Sequence, residues 1–170
     1  MYPRITIITP SFNQGKFLEQ TILSVLGQNY PNLEYIIIDG GSTDSSVEII
    51  KKYQDRLAYW VSEPDNGQAH AINKGLANAT GDVFNWLNSD DYLEPGALDD
   101  IGNYFSARPD CSVYCGYTHC FFDEDKVTSH EYRMGVKENV TDTILNVEMS
   151  QPATFYSMKV IREIGGVNES

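Results

Sequence analysis

Apolar positions along the chain follow two alternating rhythms. Ile5 to Thr9 is a β-branched run, read as a first strand that Pro10 stops. Phe17, Leu18, Ile22, Val25 and Leu26 then recur at helical spacing up to Gly27. Leu33 to Ile38 is almost wholly apolar, which fits a strand covered on both faces and hence a parallel sheet with helices on each side. Ser45 followed by Glu48 has capping-box spacing and predicts a helix through Val47, Ile50 and Tyr53. Leu57 to Val61 reads as a third strand, Gln68 to Ala79 as a helix, Val83 to Leu87 as a fourth strand, and Ala97 to Phe105 as another helix. The order β-α-β-α-β-α-β is that of a doubly wound half-sheet with right-handed crossovers.

After Ser106 the rhythm changes. Val113 to Tyr117, Cys120 to Phe122 and Val127 to Met134 predict short strands around an acidic turn at Asp123, Glu124 and Asp125, with antiparallel pairing. Thr141 to Met149 reads as helix, Ala153 to Ser157 as strand, and Lys159 to Ile164 as a last helix. The expected class is α/β, a three-layer α/β/α arrangement whose sheet is mainly parallel and Rossmann-like, with mixed or antiparallel strands in the C-terminal part. No repeat, low-complexity tract or linker divides the 170 residues, so one domain is expected.

Composition narrows the function. A 41% hydrophobic and 12% aromatic chain is globular rather than disordered. Its net charge is −12, with 24 acidic against 12 basic residues. That balance argues against a nucleic-acid partner and against charge-driven adhesion to an anionic membrane. No apolar run reaches the ~18 residues of a membrane span. The N-terminus enters a strand without a signal-peptide layout, so a cytoplasmic protein is expected, peripheral at the inner membrane only through an acceptor or partner. Cys111, Cys115 and Cys120, with His119, could be read as a zinc set, but strands there would scatter them over both faces. Reduced core thiols are the expectation.

The candidate chemistry collects at three strand ends: Thr9 to Asn13, Asp39 to Asp44, and Asn88 to Asp91. In open α/β sheets the ligand crevice lies beyond the carboxyl ends of the strands. Asn88, Ser89, Asp90 and Asp91 offer oxygen donors suited to Mg²⁺ or Mn²⁺, commonly shared with a substrate phosphate. A turn and helix cap is the other reading of the same residues. A domain this acidic needs such a cation to hold a pyrophosphate. Asp39 ends an apolar strand and needs donors, from a base edge or from a Ser42 to Ser46 turn that it caps. Gly40 and Gly41 permit close backbone approach to a ligand, or simply a turn. His70 is either a ligand contact or a helix-surface histidine. Dinucleotide, nucleophile-elbow and P-loop signatures are absent from the sequence.

These residues also carry a resemblance. Thr9 to Asn13, Asp39 to Asp44, Asp65 to Ala69 with Ala71 to Gly75, and Gly81 to Asp91 stand in the order and spacing of the family-two inverting glycosyltransferases of GT-A fold, and Gly165 to Val167 resembles a later block of that family. The resemblance implies a nucleotide-diphospho-sugar donor, with uridine the expected nucleoside, and a glycan or lipid-linked acceptor. It implies residues 1–105 as the nucleotide-sugar half and 106–170 as the start of an acceptor-side half. Thr9, Pro10, Ser11, Asn13, Asp39, Ser42, Gly67, Asn73, Asn88 and Ser89 would then border the donor. Asp90 and Asp91 would hold Mn²⁺ or Mg²⁺, with Asn88 standing where the family motif has its first aspartate. The catalytic base is expected beyond Ser170, with Glu169 the one late carboxylate inside the block. A sugar-nucleotide-binding module without turnover is the alternative.

Overall fold

The computed structural model describes residues 2–120, 130–132 and 150–169. Strands β1 (Ile5–Ser11), β2 (Leu33–Asp39), β3 (Tyr59–Ser62) and β4 (Val83–Trp86) are parallel. The chain between them forms α1 (Leu18–Leu26), α2 (Ser46–Tyr53) and α3 (Gln68–Asn78). Helix α4 (Ala97–Ala107) follows, then β5 (Val113–Cys115), the separate antiparallel pair β6 (Thr118–Cys120) and β7 (His130–Tyr132), β8 (Thr154–Ser157) and α5 (Met158–Ile164). The main sheet runs β3-β2-β1-β4-β8-β5, and β8 is antiparallel to both of its neighbours. Strands from the second half of the chain therefore complete the same sheet.

Alternation along the strands divides the core in two. Ile5, Ile7, Tyr35 and Ile37 face α1, α2 and α4 with Leu18, Ile22, Ile50, Leu98 and Phe105. Ile8, Ile36, Ile38 and Phe84 face α3 and α5 with Ala71, Ile72, Met158 and Ile161. This is the expected three-layer arrangement. Helix α3 lies so close to β1 that a Cβ on Gly75 would stand 2.6 Å from Ile8 Cγ2, so only glycine fits there. No helix among the described residues is long and apolar enough to cross a membrane.

Several local expectations are corrected. Strand β1 does not stop at Pro10 but continues through it to Ser11. The Ile5 N–H bonds on the β2 side and the Ile8 carbonyl on the β4 side, so even-numbered residues of β1 face β4. That strand pairs only as far as Ile8, and the missing Pro10 N–H costs no ladder bond. Strand β3 starts at Tyr59 rather than Leu57. The capping box at Ser45 and Glu48 does not form, and Asp44 Oδ1 instead accepts from the Ser46 N–H at 2.9 Å. Strand β5 ends at Cys115 and a strand covers Thr118–Cys120, while residues 121–122 of the expected strand 120–122 and the expected acidic turn 123–125 lie outside the described residues. The expected helix 141–149, and the ends of the expected strand 127–134, lie outside the described residues.

At the opposite end of the sheet from the strands' carboxyl rim, Glu34 is buried and ties β1, β2 and the start of β4 together. It accepts from Thr6 Oγ1 at 2.6 Å, Thr80 Oγ1 at 2.6 Å and the Thr80 N–H at 2.8 Å, and pairs with Arg4 at 3.0 Å. Burial pushes its carboxyl up, but these hydrogen bonds and Arg4 outweigh burial and hold it below the usual range.

Candidate active site

The strand order reverses across β1, with β2 and β3 on one side and β4 on the other. Such a reversal opens a crevice at the carboxyl ends, where the β1 and β4 loops part. Ser11 lies opposite Asp39 and Asp39 opposite Ser62, so one polar row closes three neighbouring strands. Asp39 is fully buried. Its Oδ1 accepts from Ser42 Oγ at 2.5 Å, and its Oδ2 accepts from Ser62 Oγ at 2.6 Å, the Ser42 N–H at 2.9 Å and the Gly41 N–H at 3.2 Å. The donors expected for this buried carboxyl therefore come from its own loop and from β3. Beside it, the Ser11 hydroxyl is buried with no hydrogen-bond partner among the described residues.

The loops after β1 and β2 are joined bond by bond. Three successive N–H groups, of Asn13, Gln14 and Gly15, are accepted by Ser42 Oγ, Ser46 Oγ and Asp44 Oδ2 at 2.8, 3.1 and 2.9 Å. Asn13 returns the contact, its Oδ1 accepting the Thr43 N–H at 2.9 Å from a left-handed backbone with φ 54° that asparagine tolerates. The Ser46 and Gly15 bonds hold the Asp44 carboxyl below its ordinary range. Gly40 and Gly41 serve loop packing. A Cβ at Gly40 would lie 2.9 Å from Asp65 Oδ2, and Gly41 has φ +82° against Pro64.

On the other side of β1, β4 delivers Asn88 to Asp91. Ser89 is buried, Asp90 exposed and Asp91 half-buried. Asn88 Oδ1 accepts from Gln68 Nε2 at 2.6 Å, while its Nδ2 donates to Asp91 Oδ2 at 3.0 Å and to Gln151 Oε1 at 3.3 Å. Burial, followed by the charge of Asp90, pushes the Asp91 carboxyl up, against the lowering effect of the Asn88 bond. Among the described residues, no three His, Cys, Asp or Glu side chains converge as a protein-only metal cage. The carboxylate oxygens of Asp90 and Asp91 fit a cation that takes its remaining ligands from water and phosphate, and a cation there would relieve both burial and repulsion at Asp91.

Not every expected site residue opens onto the rim. Thr9 is buried and its hydroxyl pairs with Tyr35 Oη at 3.0 Å in the core, because its parity on β1 is that of Ile5 and Ile7. Pro10 is buried and Ser42 partly so. Gly67 opens α3 at φ +107°, which favours glycine, and its N–H bonds Asp65 Oδ1 at 2.8 Å. Asn73 is occupied by the C-terminal turn. Its Nδ2 donates to the Val167 carbonyl at 2.8 Å and to Glu169 Oε1 at 2.6 Å, and its Oδ1 accepts the Val167 N–H at 2.9 Å. Glu169 is thus tied to α3. His70 Nδ1 accepts the Asn66 N–H at 3.0 Å and so caps its own loop. Cys111 and Cys115 are free thiols, bonded to the Val113 carbonyl and to Thr154. Gln68 and Gln151 reach the site without being named among the expected site residues: Gln68 belongs to the block Asp65 to Ala69 that carries the resemblance, whereas Gln151 lies in no spacing that singles it out.

A cavity of about 700 Å³ adjoins Asp90 and Asp91 and is lined by Leu23, Tyr92, Tyr114, Tyr117 and Phe155 among others. Another, of about 590 Å³, lies at the opposite end of the sheet by Asp82 and Lys159, away from every strand-end carboxylate named above.

Known proteins share this architecture. The chain is 36% identical over 128 residues to an uncharacterized glycosyltransferase of Haemophilus influenzae, covering 74% of this chain and 51% of that one. It is 34% identical over 119 residues to the putative teichuronic acid biosynthesis glycosyltransferase TuaG of Bacillus subtilis, covering 68% and 47%. The chain thus spans about half the length of these relatives. In structure it resembles S. aureus TarS 1–349, solved with UDP-GlcNAc, at TM-score 0.75 and 19% identity over 95% of this chain and 47% of that one. The mannosyltransferase PcManGT of Pyrobaculum calidifontis, solved with GDP-Man and Mn²⁺, matches at TM-score 0.72 and 21% identity over 98% and 48%. The model of the glycosyl transferase family 2 matches residues 6–165, and the chain belongs to that family.

Proposed function

We propose that this chain binds a UDP-sugar along the carboxyl rim of its sheet and transfers the sugar, with inversion, to a hydroxyl of a glycan or lipid-linked acceptor. The observation that carries the reading is the placement, at the carboxyl ends of neighbouring strands, of the polar row Ser11, Asp39 and Ser62 and of the carboxylates Asp90 and Asp91. The first suits a base and ribose, the second a diphosphate. The nucleotide sugars bound by the two structural neighbours support the donor class, and the name of the B. subtilis relative supports a polysaccharide product.

Uridine fits because its base presents an N–H for which Asp39 Oδ1, bonded to the Ser42 hydroxyl, keeps a second lone pair, while Ser11 Oγ is a buried hydroxyl free to bond the nucleoside. Asp90 and Asp91 would hold Mn²⁺ or Mg²⁺, which when bound would offset the charge that builds on the departing diphosphate. Asn88 keeps Asp91 in place. The acceptor oxygen forms its bond to the anomeric carbon as the bond to the diphosphate oxygen breaks, and its proton passes to a carboxylate on the opposite face. Asp90 and Asp91 stand on the leaving-group side, so neither takes that proton. The tyrosine-lined cavity beside Asp90 and Asp91 receives the acceptor, since aromatic faces and carboxylates suit the apolar faces and hydroxyls of sugar rings.

A calorimetric panel of UDP, GDP and their sugars, each with Mn²⁺ and with EDTA, tests the reading. UDP ligands binding in Mn²⁺ and weakening in EDTA are expected. Preference for GDP removes the uridine assignment, and the absence of any nucleotide binding removes the reading itself. A coupled assay for UDP release then tests turnover with candidate acceptors.

A further inference from the structure

The side chain of Gln151 enters the rim from the segment before β8. Its Nε2 donates to the Trp86 carbonyl and its Oε1 accepts from Asn88 Nδ2. A backbone carbonyl can only accept, so Trp86 sets the direction of the whole network. Gln151 must turn its amide nitrogen to Trp86 and therefore its oxygen to residue 88. Residue 88 must then offer a donor, which asparagine has and an ionised aspartate lacks. With Asn88 Nδ2 shared between Gln151 and Asp91, its Oδ1 faces away, and Gln68 Nε2 meets it.

We propose that Gln151 is a positioning residue of the donor site: anchored on the Trp86 carbonyl, it imposes an amide at position 88 and fixes its orientation, and that amide holds Oδ2 of Asp91 so that the other carboxylate oxygen is left for the cation and diphosphate. The inference rests on the nucleotide-sugar reading above and deepens it. It also explains why asparagine stands where the family motif has an aspartate. A carboxylate at 88 would face Asp91 and the Gln151 oxygen with no hydrogen between them, and repulsion would splay the three apart. Gln151 could turn its nitrogen toward such a carboxylate only by giving up Trp86.

The ligand-free protein tests the positioning directly. In ¹⁵N-labelled protein, Gln151→Ala is expected to shift the Asn88 side-chain amide signals and quicken their exchange with water, and Gln151→Glu, which cannot donate to Trp86, should do the same. Unchanged Asn88 amide exchange in both variants overturns the proposal. Calorimetry of UDP across a Mn²⁺ titration tests the link to the cation. The half-saturating Mn²⁺ concentration is expected to rise about tenfold in Gln151→Ala, the scale of one charge-assisted hydrogen bond. UDP affinity at saturating Mn²⁺ should fall no more than about twofold, because the base and ribose contacts are untouched. A merely structural role would weaken UDP binding equally at every Mn²⁺ concentration, and that result also overturns the proposal. If the wild-type protein binds no UDP in Mn²⁺, the nucleotide-sugar reading falls, and the amide signals alone decide whether Gln151 positions Asn88.

Discussion

Ser62 Oγ donates to Asp39 Oδ2 at 2.6 Å across the β2–β3 pairing, so the short edge strand contributes directly to the polar row at the rim. Asp39→Ala would leave this hydroxyl and the Gly41 and Ser42 N–H groups without their acceptor. A stability loss on the order of 2–4 kcal/mol is expected in chemical denaturation. At a temperature where the variant is folded, UDP affinity should fall by a further ~1–3 kcal/mol. A folded Asp39→Ala that keeps full UDP affinity makes the residue a loop fastener only.

Metal dependence divides between the two carboxylates. Asp90 is exposed and has no hydrogen bond to Asn88, whereas Asp91 Oδ2 is committed to that amide. Asp90→Asn is therefore expected to weaken Mn²⁺-dependent UDP binding most and Asp91→Asn less. Equal wild-type affinity in EDTA and in Mn²⁺ would sink the cation assignment.

Glu34 governs stability from the far end of the sheet. Its carboxyl is held low, so its contribution is complete above the unfolded value of about 4.3 and fades as pH falls through the folded value. Glu34→Gln should lower stability by roughly 2–4 kcal/mol at neutral pH. The gap between wild type and variant should narrow below about pH 4. Denaturation curves at pH 7 and pH 3.5 check this, and a gap that widens in acid contradicts it.

Gly75 tests the packing of α3 on β1. In an exposed helix, Gly→Ala stabilises by about 1 kcal/mol. Here the new methyl would meet Ile8 Cγ2 at 2.6 Å. A net loss of ~1–3 kcal/mol is expected by thermal denaturation, the usual result of overfilling a packed core.

Much of this molecule is legible in its sequence, and the limits are physical. Leu33 to Ile38 announced a strand covered on both faces, and the periodicity of α1 located it to within one residue at each end. Spacing identifies elements but not which face a terminal residue takes. That is why Thr9 was expected at the rim, whereas its parity turns it toward Tyr35. Pro10 was expected to end β1, because the length of β4, which decides whether a missing N–H matters, is set elsewhere in the chain. The motif around Asn73 does not disclose its partners, which lie more than ninety residues away. The contacts of Gln68, which stands in the block Asp65 to Ala69, and of Gln151 are illegible for the same reason, as their roles exist only once β4 brings Asn88 between them.

The stitching of residues 13–15 to residues 42–46 has a consequence for how ligand arrives. Because side chains of the second loop already consume the backbone donors of the first, the two loops form a single wall before anything binds. An incoming nucleotide meets a surface that is already in its working shape, and the entropy lost on association falls on the ligand rather than on the protein. Residues 11–15 and 39–46 should therefore superpose closely between the free and the bound chain, and rearrangement should concentrate on the opposite bank, around Asp90.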